Sequence, residues 1–305
     1  MGSRAELAHV VVIGAAGAVG RLFCGALADA GSAVRLVDVA PTPPAELREL
    51  GSYLTRDACT PSPQLDAALV DVDCAVLALP EAAALDALPH VLAALPPGAL
   101  LVDTLSVKTP FARAALAAGA PIELLSLNPM FAPALGFAGH AVLAVELASG
   151  RRSDALLALL RELAYVVTLS DAAAHDRATA ALQVATHASV LAFGLALAQL
   201  DADLDALLPA APPPFLALLS LLARIADGAP QTYADIQRAN PFALEARAAL
   251  TDALSRLDAS ARDADPHAVE ALIAAAAAPL GAHREALAAQ AAALLARLER
   301  PVPDR

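Results

Sequence analysis

From Val10 to Gly20 the chain reads Val10-Val11-Val12-Ile13-Gly14-Ala15-Ala16-Gly17-Ala18-Val19-Gly20, an apolar β-branched run that breaks at a glycine turn and passes into a helix-forming stretch. A strand without a polar position has no solvent side, so it belongs inside a parallel sheet with helices on both faces. Glycine permits the tight turn and a close backbone approach to a pyrophosphate, and the amides and dipole of the following helix attract its charge. The usual Gly-x-Gly-x-x-Gly spacing would begin at position 15, where this chain has Ala15, with Gly14 just before it and Gly17 and Gly20 in register.

Asp38 supplies a second element, 24 residues beyond Gly14 at the end of the next β-type run. A carboxylate there accepts hydrogen bonds from ribose hydroxyls and repels a 2′-phosphate, and no Arg or Lys follows until Arg48, so NAD is expected over NADP. The expected cofactor-binding residues are Gly14, Ala15, Gly17, Val19, Gly20, Asp38 and Leu79.

The first half alternates β-type runs with helical stretches, with candidate strands at 10–13, 33–37, 74–79, 100–102, 122–125, 141–145 and 165–169. Past Ser170 such runs cease, and Ala/Leu segments broken by Pro212 to Pro214, Pro230, Pro241, Pro266 and Pro279 take over. The fold class is therefore α/β, with a Rossmann-type parallel-sheet domain over 1–170 and an all-helical domain over 171–305. The apolar fraction is 58%, much of it alanine, and aromatics are only 3%, which suits close-packed helices better than stacking platforms for bases. A net charge of −12 without a basic run also argues against a nucleic-acid partner.

The stretch from Ala178 to Leu200 is uncharged and long enough to span a bilayer. Gln183 and His187, four apart on one helical face, together with Thr179, Thr186 and Ser189, favour a buried helix with a polar side, so no membrane partner is expected. Cys24, Cys59 and Cys74 have neither CxxC nor Cys/His metal spacing, so free thiols and no metal are expected. No charged n-region with a cleavage site precedes the first strand, so the expected location is cytoplasmic.

Two loops follow later strands: Asp103-Thr104-Leu105-Ser106-Val107-Lys108 and Ser126-Leu127-Asn128-Pro129-Met130-Phe131-Ala132-Pro133. Lys108 is the sole lysine beside nineteen arginines, and no Lys or Arg lies between Asp57 and Val107. With Gly20-Arg21-Leu22-Phe23, His175-Asp176-Arg177, Gln183 to His187, Phe193-Gly194-Leu195, Arg224 and Tyr233-Ala234-Asp235-Ile236, these loops resemble the prephenate dehydrogenase family from Val10 to about Asn240. The resemblance implies oxidative decarboxylation, in which hydride leaves ring carbon 4 for NAD, carbon 1 loses carbon dioxide and the ring becomes aromatic. It makes Ser106 the serine that bonds the substituent at carbon 4, Arg224 the partner of a substrate carboxylate, and Gln183, His187 and Met130 further substrate contacts. A dianionic substrate meeting so acidic a chain needs local cations, which agrees with Arg224 and gives Lys108 a part in setting the potential. Ser106 also has the option of capping a helix that starts at Val107. The resemblance further implies a homodimer through the helical domain.

One position departs from the family. Where the family carries a catalytic histidine before Pro-Met, this chain has Asn128, which cannot take a proton; Ala132 and Ala134 also replace the more usual glycine and acidic residue. Three readings follow. The substrate is an analogue that needs no base, 4-amino-4-deoxyprephenate, whose amine expels hydride with its own lone pair; or prephenate or arogenate is oxidised with water as base; or the chain is a non-catalytic sensor of NAD or prephenate. Retention of Ser106, Lys108 and Arg224 weighs against the third, and an amide oxygen that accepts from N–H favours the first.

Overall fold

The computed structural model describes residues 6–298, which fall into two compact units. The first runs to Thr179 and takes back Ala239–Pro241; the second holds Ala180–Arg238 and the residues from Phe242 onward. The break thus lies nine residues beyond position 170.

In the first unit, β1 (His9–Ile13), β2 (Ala33–Asp38), β3 (Gly51–Thr55), β4 (Cys74–Leu77), β5 (Leu100–Asp103), β6 (Glu123–Pro129), β7 (Ala141–Ala148) and β8 (Tyr165–Leu169) form one sheet in the order β3-β2-β1-β4-β5-β6-β7-β8. Neighbours are parallel except β6 and β7, which pair antiparallel, so β7 and β8 run against the other six. β3 is absent from the expected strands because Gly51-Ser52-Tyr53-Leu54-Thr55 has one aliphatic residue and no clean alternation. Pairing with β2 supplies what its composition lacks.

Val10 and Val12 pack on one face with α1 (Ala18–Asp29) and α5 (Arg151–Leu163), while Val11 and Ile13 pack on the other with α2 (Pro63–Leu69), α3 (Glu81–Ala94) and α4 (Thr109–Ala118). This two-sided burial is what a strand without polar positions requires. β1 stands between β2 and β4, where the strand order reverses, so the turn after Ile13 opens at the crevice where such sheets bind ligands. α6 (Ala172–Thr179) completes the unit.

The second unit holds a π-helical segment (Ala180–Ala185), α7 (Thr186–Gln199), α8 (Leu204–Leu207), α9 (Pro213–Ala226), α10 (Pro230–Ala239), α11 (Ala243–Arg262), α12 (Ala268–Ala277) and α13 (Arg284–Leu295), the last residue of α10 counting with the sheet. Its buried cluster is small, Val184, Ile236 and Ala243. Phe193 meets Phe215 edge-to-face at 5.8 Å, and Gly194 lets Leu222 approach where a Cβ would stand 2.8 Å from it. Ala172–Gln199 is one helical run long and apolar enough to cross a membrane, and little of it is buried, so it is not the buried helix expected from its sequence.

Gly20 is where the opening turn tolerates no side chain: a Cβ there would stand 2.0 Å from the Gly14 carbonyl oxygen. Gly20→Ala must push α1 off the turn, with an expected loss of about 1–3 kcal/mol in chemical denaturation. Gly25→Ala in the same helix meets nothing within 4 Å and is expected to be neutral or stabilising by about 0.5–1 kcal/mol. Equal effects of the two would contradict this account.

Candidate active site

Gly14 adopts φ +84°, and a Cβ on it would come within 2.2 Å of the Ala78 carbonyl. Its amide and that of Ala15 donate to the Val37 carbonyl, at 2.8 and 3.1 Å, tying the turn to the end of β2. α1 starts at Ala18 with no side-chain cap and no acidic residue in its first turn, leaving its N-terminal amides to an anion. Asp38 is oriented by backbone donors, Ala16 N to Oδ2 (2.8 Å) and Ala40 N to Oδ1 (2.9 Å). A cleft of about 490 Å³ runs past Gly14, Gly17, Asp38 and Leu79.

These residues fit a dinucleotide: glycine backbone for the pyrophosphate, a helix N-terminus beside it and a fixed carboxylate at the ribose position. Of the remaining expected contacts, Ala15 is fully buried in the core, Val19 packs against the core and Gly20 lies against Gly14, so they shape the turn and do not line the cleft. Arg56 and Cys59 do line it, placed there by the unforeseen β3 and the loop after it.

At the ends of β5 and β6 lies a buried polar cluster. Lys108 is wholly buried, and its Nζ donates to Asp103 Oδ1 and to the Leu127 carbonyl, each at 2.7 Å. Asp103 also accepts from the Ser126 hydroxyl and from Leu105 N (3.1 Å). Burial pushes the Lys108 ammonium below its usual range, and Asp103 opposes the shift. Lys108 thus ties two strand ends together, with its charge paired to Asp103.

Asp176 of α6 lies beside this pair. It accepts from Lys108 N (2.8 Å), Thr109 N (2.9 Å) and His175 Nδ1 (2.9 Å), and so caps α4 across 67 residues of sequence. Burial pushes its carboxyl up, but the bonds from His175 and from the amides of Lys108 and Thr109 outweigh it and leave the carboxyl below its usual range. α4 starts at Thr109, so Ser106 is not its cap; among the described residues nothing in the protein bonds the half-buried Ser106 hydroxyl. Asn128, nearly buried near the end of β6, lies with its Nδ2 3.1 Å from His175 Nε2. Met130 follows it, half-buried, its amide bonded to the Ala141 carbonyl.

The helical unit carries a second polar group. Gln183 lies within the π-helical segment, a geometry that often marks functional positions. Gln183 Oε1 and His187 Nδ1 are buried without partners among the described residues. His187 packs edge-to-face on Tyr233 at 5.0 Å, and burial, then the Arg224 charge, lowers its imidazole's pKa. Arg224 is exposed in the last turn of α9, not enclosed among its apolar neighbours, and forms no ion pair among the described residues.

Residues 171–274 match the family described as prephenate dehydrogenase, dimerization domain. The chain is 44% identical over 274 residues, 90% of its length and 91% of the relative's, to a 4-amino-4-deoxyprephenate dehydrogenase of Streptomyces pristinaespiralis. The chain belongs to the prephenate dehydrogenase family. It is also 31% identical over 239 residues to the T-protein of Enterobacter agglomerans, across 76% of this chain and 56% of that protein. In fold it resembles the Aquifex aeolicus prephenate dehydrogenase solved with hydroxyphenyl propionate and NAD+, with TM-score 0.71, 18% identity and coverage of 89% and 97% of the two chains. The Synechocystis arogenate dehydrogenase resembles it with TM-score 0.63, 19% identity and coverage of 92% and 99%.

The sequence motifs do not show that His175 and Asp176 stand behind Asn128. The available signal is a pair of adjacent polar residues, His175-Asp176, within a run of alanines. The buried pair beneath them yields a direct test. Lys108→Met leaves Asp103 charged and buried, with an expected loss of about 3–5 kcal/mol in urea unfolding. Adding Asp103→Asn, which removes the stranded charge, is expected to restore at least half of that. A loss under about 1 kcal/mol for the single variant would show that the pair does not carry this part of the fold.

Proposed function

We propose that this dehydrogenase oxidises 4-amino-4-deoxyprephenate to 4-aminophenylpyruvate and carbon dioxide with NAD as hydride acceptor. The observation that carries the reading is the state of the groups around Asn128. Its amide cannot take a proton, and the imidazole behind it, His175, is fully buried with both nitrogens engaged, by Asp176 and by Asn128. Asp103 is paired with Lys108, and Asp176 caps α4. The titratable groups bonded around Asn128 among the described residues are thus all engaged, as suits a substrate whose amine lone pair drives hydride departure and whose nitrogen need lose no proton in that step. The 44%-identical relative bearing the amine substrate's name supports the same choice.

In this reading NAD lies along the cleft at Gly14 and Gly17, with Asp38 on the ribose hydroxyls and against a 2′-phosphate. Ser106 and Asn128 hold the substituent at carbon 4. In the helical unit Arg224, which forms no ion pair among the described residues, binds a substrate carboxylate, and Gln183 Oε1 and His187 Nδ1, without partners among the described residues, take up further polar groups.

The test is steady-state NADH formation with each purified substrate. The amine is expected to exceed prephenate in kcat/KM by at least about a hundredfold, the usual worth of a general base. Asn128→His is expected to raise turnover of prephenate and leave or lower that of the amine. A preference of the parent enzyme for prephenate would overturn the proposal in favour of the hydroxyl substrate.

We further infer a soluble cytoplasmic homodimer built on the helical unit. Leu195, Leu200, Ile273 and Leu294 are 67%, 75%, 63% and 59% exposed, more apolar surface than a stable monomer leaves open, and the dimerization-domain match covers 171–274. Light scattering at micromolar concentration, without detergent, is expected to give twice the chain mass. A monomer, or a protein soluble only with detergent, would contradict this and favour another cover for the 172–199 run.

A further inference from the structure

Asn128 is an amide whose two ends differ: Nδ2 only donates and Oδ1 only accepts. The substrate substituent meets whichever end the protein leaves free. The structure commits Nδ2, which lies 3.1 Å from His175 Nε2. Among the described residues no protein donor reaches Oδ1, and that atom is not sealed from solvent. The choice is made farther back. Asp176, a carboxylate held by Lys108 N and Thr109 N, can only accept, so His175 Nδ1 must carry the hydrogen that bridges the 2.9 Å to Asp176 Oδ1. In the neutral ring Nε2 is then a bare acceptor, and burial keeps the imidazole neutral by holding its pKa below the usual range. A reversed Asn128 would set Oδ1 against the Nε2 lone pair, two acceptors face to face with no hydrogen between them.

We propose that His175 is the positioning residue for substrate recognition: anchored by Asp176, it turns the Asn128 amide so that Oδ1, a hydrogen-bond acceptor, faces the group on carbon 4. An amine offers that oxygen an N–H and keeps its lone pair for expelling hydride. With the amide reversed, Nδ2 would donate to that lone pair and withdraw it from the reaction. The α4 N-terminus thus acts on the substrate through Asp176, His175 and Asn128, although neither His175 nor Asp176 is exposed. The inference rests on the reading that places Asn128 beside carbon 4.

The test compares His175→Leu, which removes the acceptor, with His175→Gln, whose side-chain oxygen can accept from Asn128 while its amide donates to Asp176. Kinetics are read with the amine substrate and NAD, NAD affinity by fluorescence titration and folding by thermal melting. H175L is expected to lose about ten- to a hundredfold in kcat, the scale of a misdirected polar group. Its NAD affinity is expected to stay within about twofold of the parent. H175Q is expected to recover most of that kcat. Should H175L fail to fold, His175→Asn, which keeps the bond to Asp176 but is too short to reach Asn128, takes its place with the same expected loss. In an Asn128→Ala background the His175 substitution is expected to cost less than about twofold more, because there is no amide left to orient. Full kcat in H175L, or equal losses in H175L and H175Q, would overturn the proposal while leaving the substrate assignment intact. No effect of Asn128→Ala itself would overturn both this inference and the placement of Asn128 beside carbon 4.

Discussion

A single buried ammonium organises the carboxyl end of the sheet around β5 and β6. Lys108 Nζ lies between the Asp103 carboxylate at the end of β5 and the Leu127 carbonyl in β6, and the residue after Leu127 is Asn128. Such a pair recovers its desolvation cost only when every remaining donor and acceptor is satisfied, and here Asp103 takes two further hydrogen bonds, from Ser126 and Leu105. The return is positional. The same backbone turn delivers Lys108 N and Thr109 N to Asp176, so one charge pair aligns two strand ends, a helix N-terminus and the His175 imidazole together. A compact ammonium suits this place, where an arginine fork would need more room and more acceptors.

The helical unit stands in contrast. Where Lys108 and Asp103 satisfy each other in the sheet unit, Gln183 Oε1 and His187 Nδ1 of the helical unit have no partner among the described residues, one turn apart, with the exposed Arg224 close enough to perturb His187. Buried atoms left without hydrogen bonds cost about 1–3 kcal/mol each, a cost that a site built to receive a polar ligand recovers on binding. The π-helical segment at Ala180–Ala185 belongs to the same account. Its irregular backbone is supported from α10, where Gln237 Nε2 donates to the Val184 carbonyl at 3.0 Å, and Arg247 holds Gln237 in turn. Several large apolar side chains of this unit, Leu195, Leu200, Ile273 and Leu294 among them, lie on its surface, and these are the positions the proposed dimer would cover.

Much of this was legible in the residues. The run Val10–Ile13 has no polar position and therefore demands cover on both faces, and Gly14, Gly17 and Asp38 have the spacing of a dinucleotide turn because backbone reach dictates it. Seven of the eight strands follow from apolar runs alone. β3 does not, because its residues carry little β signal and become a strand only by pairing with β2. With β3 went Arg56 and Cys59, whose place in the cleft beside Gly14 and Asp38 depends on that strand.

Periodicity and spacing act within a few residues, so sequence by itself determined the α/β class, the switch to helices after position 170, the cofactor turn and the family to which the motifs point. Hydrogen bonds and charge pairs act through space, and tertiary structure alone decided what each motif residue touches. It turned Lys108 inward to Asp103, moved the cap of α4 from Ser106 to Asp176, and put His175, 47 residues away in sequence, behind the Asn128 amide. The types of these side chains were written in the chain. Their partners were not, because a buried polar group is defined by what surrounds it, and that is set only when the strands, α4 and α6 have come together.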